Sequence, residues 1–149
     1  MARQRRYTVD LTGLHAICEA NYARMMRVFP AYEVSNRTEF ALADERVSIE
    51  VIERSRYTTI FRICSRPVAQ AWLAPLQMEL RAYHDAAMLE VGSFQASGAV
   101  QARYAYPNPA MHQQDEKNQQ NRFLADWLEH CLANGLGSLP DSLRRTPQV

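Results

Sequence analysis

Lysine is all but missing from this 149-residue chain: of its 17 basic residues only Lys117 is a lysine, which leaves 16 arginines. An arginine fork suits carboxylate and phosphate, but a genome rich in G and C would favour arginine codons along the whole chain and accounts for the same bias. Glycine is scarce too, five residues with no phosphate-cradling loop among them. Cysteine is limited to Cys18, Cys64 and Cys131, an odd number, far apart and without a CxxC pair. That excludes a disulfide framework and predicts three reduced thiols inside apolar patterns, the pattern of a cytoplasmic protein. No apolar run approaches the roughly 18 residues a membrane span needs. The start, MARQRRYTVDL, is basic but lacks the apolar stretch and cleavage site of a signal peptide. Charge of one sign is missing as well: the formal net charge is +1, so no global field draws the chain to nucleic acid or to an acidic membrane.

What is present is a change of hydrophobic period. Leu11, Leu14, Cys18, Tyr22, Met25 and Phe29 recur at three and four residues and predict a helix over 11–29, with Asp10 as N-cap and Pro30 as stop. The period then becomes two. Phe40 and Leu42, then Val47, Ile49 and Val51, alternate with polar neighbours around a loop at Asp44-Glu45, and a third run, 57–64, follows the turn at 54–56. Trp72 and Leu73, bracketed by Pro67 and Pro75, are expected to cover a sheet edge. Met78, Leu80 and Ala82, then Ala87, Leu89 and Val91, form a second hairpin with His84-Asp85 at its tip. The other sheet face would carry Glu50, Arg62, Glu79, Arg81 and Glu90, whose mixed signs suit cross-strand pairs.

Residues 93–100 read as a loop or irregular edge, and 103–106 as a candidate sixth strand. The last helix has an apolar stripe of Phe123, Leu124, Trp127, Leu128, Cys131 and Leu132 and is expected to end on Asn134-Gly135 as a C-cap. The order helix, strands, helix has no βαβ rhythm. The expected class is α+β: a five-stranded, or with 103–106 six-stranded, mostly antiparallel sheet with N- and C-terminal helices packed on one face. A single domain would span 1–136, followed by a frayed tail at 137–149.

The segment 103–128 is the likeliest home of function by composition, because its polar half has no core to serve. Carrying the stripe of the last helix backwards by threes and fours reaches Gln120, then Glu116 and Lys117, then His112 and Gln113, all polar. Polar groups held on the core side cost about 1–3 kcal/mol each unless partnered. The bland alternative starts the helix near Asp115, as N-cap, with its first turns in solvent. Tyr83, His84, Asp85, Arg103, Tyr104, His112, Asp115, Glu116, Lys117 and Gln120 are therefore the candidate ligand- or partner-binding residues. His112 with Asp115 or Glu116 has the i, i+3 or i+4 spacing of a ligand pair, but no HxxxH or HExxH accompanies it, and a capped helix reads the same way. His84-Asp85 could be an imidazole tuned by a carboxylate or a turn in which Asp85 bonds the backbone. No GxSxG or Cys–His setting occurs, so no metal, cofactor or catalytic residue is assigned.

Three readings result. The first is a small binding or interaction domain that takes a small anionic ligand or a protein partner between the second hairpin tip and the start of the last helix. The second is a hydrolase of a small phosphorylated or nucleotide-like substrate using His84 or His112 with Asp85, Asp115 or Glu116. The third is a nucleic-acid module using Arg3, Arg5, Arg6 and Tyr7, against which stand the low net charge and the lack of an RNP, KH or helix-turn-helix signature.

Several segments together resemble a known family. RYTTIFRI (56–63), YHDA (83–86) with Glu90-Val91, RYAYPN (103–108), MHQQDEKNQQNRFLADWL (111–128) and CLANG (131–135) are similar to the YqiB-like family of short, uncharacterised proteobacterial proteins. The likeness runs in one order from about Tyr7 to Gly135, and its HQxDEKxQxNxFLADWL portion is distinctive. The resemblance implies a cytosolic bacterial protein of a domain-of-unknown-function family, and it carries no activity, cofactor or catalytic residue with it.

Overall fold

The structure, a computed structural model, describes residues 11–69, 74–96 and 113–135, without the side chains at 11, 12 and 113–115. Helix α1 (Leu11–Val28) leads into strands β1 (Arg37–Leu42), β2 (Glu45–Arg54), β3 (Thr58–Pro67), β4 (Leu76–Tyr83) and β5 (Met88–Gln95). Helix α2 (Gln113–His130) follows and closes in a π turn (Cys131–Gly135). The strands pair antiparallel in chain order, β1-β2-β3-β4-β5, an α+β meander as the change of period implies. The arm at 1–10, Trp72-Leu73, the candidate strand at 103–106 and the tail at 137–149 lie outside the described residues.

Alternation decides which face is inside. Phe40 and Leu42, Val47 and Ile49, Phe61 and Ile63, Leu76, Met78, Leu80 and Ala82, Leu89 and Val91 all point to one face and are buried. Met25, Val28 and Phe29 of α1 and Phe123, Leu124, Trp127 and Leu128 of α2 close over that face. Burying one such side chain contributes roughly 1.5–3 kcal/mol, so these two layers hold most of the driving force for folding. The outer face carries the mixed charges as expected: Glu50 lies opposite Arg62, Arg62 opposite Glu79 and Arg81 opposite Glu90.

Five details depart from the sequence pattern. The first hairpin turns on Ala43-Asp44, with Ala43 at φ 55°, so Glu45 opens β2, faces inward and is bonded by the Ser65 hydroxyl at 2.5 Å. Ala87, expected to face inward, sits in the second turn at φ 54° and is exposed, because the loop needs a left-handed residue before β5 can pair. Strand β5 continues through Ser93 to Gln95, beyond the expected loop, after a bulge in which Gly92 is the unpaired residue between Val91 and Ser93. Cys64 is on the outer face and half-buried, whereas Cys18 and Cys131 are core thiols. Gly135 is not a left-handed cap: no described glycine has positive φ, and the helix ends instead in its π turn.

Candidate functional site

The polar half of α2 lies along β5, the last strand of the sheet. An edge strand presents unpaired N–H and C=O groups, and here both outward groups of Val91 are met by the helix. Val91 N–H donates to Asn121 Oδ1 at 3.1 Å, and Lys117 Nζ donates to the Val91 carbonyl at 3.0 Å. Asn121 is fully buried, and its amide also donates to the Lys117 carbonyl at 2.8 Å, while Cys18 Sγ approaches Asn121 Oδ1 at 3.9 Å. Its own carbonyl accepts from the buried Asn21 Nδ2 at 3.0 Å, and Asn21 Oδ1 accepts from Arg24, which pairs with Glu129 at 2.7 Å. One polar chain thus ties α1, α2 and β5 together. Burial, and after it the Glu90 charge, pushes the Cys18 thiol up to about 11, so it stays protonated beside Asn121.

Beside this network, and sharing Lys117 with it, Glu116, Lys117 and Gln120 form one wall of an open cleft of about 450 Å³ whose other wall is the bulge, Gly92 and Ser93. Glu116 is exposed and accepts from Gln120 Nε2 at 3.4 Å, and Gln120 is half-buried. On the same turns of α2, Asn118 Oδ1 and Gln119 Oε1 are shielded from solvent with no hydrogen-bond partner among the described residues. These turns therefore hold more buried acceptors than the described residues satisfy, each costing about 1–3 kcal/mol while it lacks a partner.

The hairpin tip is elsewhere. His84 turns inward and is held from both sides, Nδ1 sharing a hydrogen bond with the Tyr22 hydroxyl at 2.8 Å and Nε2 with the Thr59 hydroxyl at 2.7 Å. Tyr32 stacks on the imidazole at 5.4 Å and 19°. Burial and the nearby Glu33 raise Tyr22 and Tyr32 above the ordinary tyrosine range, so both phenols remain neutral partners. Tyr83, one residue earlier in the alternation, faces the opposite side of the sheet, where its hydroxyl donates to Glu90 at 2.9 Å. Burial first and that bond second raise its pKa. Asp85 is exposed at the tip.

Of the ten candidate residues, the structure brings Glu116, Lys117 and Gln120 together at one cleft. Tyr83 and His84 belong to two other places on two sheet faces. Val91, where Lys117 is anchored, is three residues beyond Met88, which opens β5 after the tip, about 10 Å along the strand. Asp115 lies in the first turn of α2 with its side chain undescribed, and Arg103, Tyr104 and His112 lie outside the described residues. Among the described residues, no group of three or more His, Cys, Asp or Glu side chains could hold a metal ion.

Residues 24–137 match the family described as "Protein of unknown function (DUF1249)". The chain belongs to this family. It is also 39% identical over 138 residues to the protein named "Uncharacterized protein YqiB" of Escherichia coli strain K12, an alignment covering 91% of this chain and 98% of that protein. The same figures hold for the YqiB proteins of Escherichia coli O6:H1 and O157:H7. No solved structure matches the chain. Membership of DUF1249 confirms the family read from the HQxDEKxQxNxFLADWL segment and supplies no activity, so the chemistry of this member rests on its own side chains.

Asn121, the most deeply engaged polar residue of this DUF1249 chain, was missed by the sequence reading. It lies three residues before Leu124 and seven before Leu128, on the stripe itself, and the step of three back from Leu124 reaches it. Among the described residues no helix is long and apolar enough to cross a membrane.

Proposed function

We propose that this protein is a small cytoplasmic binding domain without catalysis, whose site is the cleft between the polar half of α2 and the β5 bulge, and whose ligand is a small anionic molecule. The observation that carries the reading is the cleft itself: Glu116, Lys117 and Gln120 line it across from Gly92 and Ser93. Lys117 spends one N–H on Val91 and has two more to offer an anion. The Ser93 hydroxyl and the Gln120 amide add neutral donors. Cytoplasmic residence is supported by three free cysteines.

The test is amide chemical-shift mapping of the labelled protein with succinate, inorganic phosphate and an acidic hexapeptide as probes. At least one probe should shift Gly92, Ser93, Lys117 and Gln120 together, and Gln120→Trp, which fills the cleft, should abolish those shifts. A response to the peptide alone would make the ligand a partner segment. Silence of these amides toward all three probes would sink the reading.

A further inference from the structure

On the outer face of the sheet the charges are mostly matched across strands. Arg37 donates to Glu50 at 2.7 Å and also pairs with Glu39, and Arg62 lies 3.5 Å from Glu79. One rung breaks this rule. Arg46 of β2 and Arg66 of β3 are direct partners in the register, both exposed on the outer face. Directly opposed residues have Cβ atoms about 4.5–5.5 Å apart, and like charges at that spacing destabilise the pair.

Little nearby offsets the repulsion. Glu39 is the one carboxylate lining the hollow around this rung, and it is committed to Arg37, reaching Arg46 only at 3.9 Å. Arg66 has no acidic partner among the described residues. The hollow is lined by Arg37, Glu39, Arg46, Val47, Ser48, Cys64 and Arg66 and holds about 230 Å³. At roughly 30 Å³ per water, that is room for several waters or one oxyanion, and it is less than the roughly 300–1,000 Å³ of a pocket for a whole drug-sized ligand. The larger outer-face hollow, about 530 Å³ around Arg62 and Glu79, is lined by that matched pair and shows no such imbalance.

We propose that the Arg46–Arg66 rung is an anion site, separate from the α2 cleft, which takes a phosphate dianion, free or as the terminus of a phosphomonoester. Two guanidinium forks facing each other give parallel N–H donors to the oxygens of a tetrahedral anion, and the dianion replaces their repulsion with two attractions. Ser48, next on the outer face of β2, adds a hydroxyl donor. The shallow site grips the phosphoryl group and leaves the rest of an ester in solvent.

The experiment compares melting and amide shifts in sodium phosphate and in sodium chloride at equal ionic strength, in wild type and in R66E: screening acts equally in both salts, and the general stabilisation phosphate gives by exclusion from protein surface acts on both proteins, so site binding is the Tm rise that R66E lacks. Phosphate should raise Tm above chloride and shift the amides of Arg46, Ser48, Cys64 and Arg66. R46Q and R66Q should each weaken that binding at least about tenfold, the loss of one charge-assisted fork, while R122Q on the surface of α2 leaves it unchanged. R66E should melt higher than wild type without phosphate, because it turns the rung into an ion pair, and should not bind phosphate. Glycerol phosphate serves as the second arm: tighter binding than inorganic phosphate marks an ester as the ligand, equal binding the free ion. A Tm rise in phosphate no larger than that of R66E, full affinity in both R46Q and R66Q, or shifts confined to the Lys117 side would each overturn the proposal.

Discussion

Asn121 shows how one side chain can replace a strand. The amide of Val91 would face solvent or another chain along the β5 edge, and the Asn121 oxygen accepts its hydrogen bond instead. Asn121→Ala should cost about 1–3 kcal/mol in urea unfolding, the penalty for leaving a buried N–H unpaired. Hydrogen exchange gives a sharper readout: Val91 should be protected like the central strands in wild type and exchange faster in the variant, with β2 and β3 changing only as global stability does. Unaltered Val91 exchange in the variant would show that the bond has no such role. Lys117 works on the same rung through the Val91 carbonyl, so the chain's single lysine, which looked purely functional from its setting, has a structural task as well. His84 is similar. Beside Asp85 it reads from sequence as a tuned base or as part of a turn; in the fold its ring nitrogens share hydrogen bonds with Tyr22 and Thr59, which fasten the hairpin tip to α1 and β3.

At the scale of elements, the strands follow from their alternation and the helices from their stripes, because each needs only neighbours within a few residues to set which face is apolar. Turns and helix ends were less legible. Ala43 and Ala87 take left-handed conformations that favour glycine or asparagine, so the sequence marks neither turn and the loops were placed one residue off or cut short. Ala87→Gly should therefore stabilise by about 0.5 kcal/mol, the relieved backbone strain less the added freedom of the unfolded chain, visible as a small rise in Tm. Gly135 misled for the opposite reason. A Cβ there would sit 3.0 Å from Phe40 Cε1 and 3.2 Å from Leu42 Cδ1, so glycine is required by the closeness of the π turn to β1 and not by φ. Gly135→Ala should destabilise by about 1–3 kcal/mol through overpacking, and a denaturation midpoint equal to wild type would refute that closeness.

The whole molecule responds to pH through groups spread over the helices, the sheet and the turn after α1. Cys18 is raised by burial and by Glu90 from the ordinary thiol value of 9.0 to about 11, and Cys131 is raised further by burial and by Glu45. A thiol whose pKa is raised on folding contributes stability that is fully present below the unfolded value and is lost as pH rises through the folded one. Stability should accordingly hold to about pH 9 and fall between 9 and 11, with the raised tyrosines Tyr22, Tyr32 and Tyr83 adding in the same direction. Urea unfolding at pH 8, 9, 10 and 11 checks this. Cys18→Ala should flatten the decline, and a profile level to pH 11 would contradict the burial of these groups.

From the sequence alone, the order of elements, the inward and outward faces, the core members and the family were decided, because period and motif are local properties of the chain. Only the tertiary structure decided that Asn121 and Lys117 cap Val91, that His84 bonds Tyr22 and Thr59, and that Arg46 meets Arg66. Those facts depend on register and on pairs from 20 to 62 residues apart, as with Arg46 and Arg66 or Tyr22 and His84. A polar letter states what a side chain can bond, and the partner is fixed only when the packing of the apolar faces brings the two together.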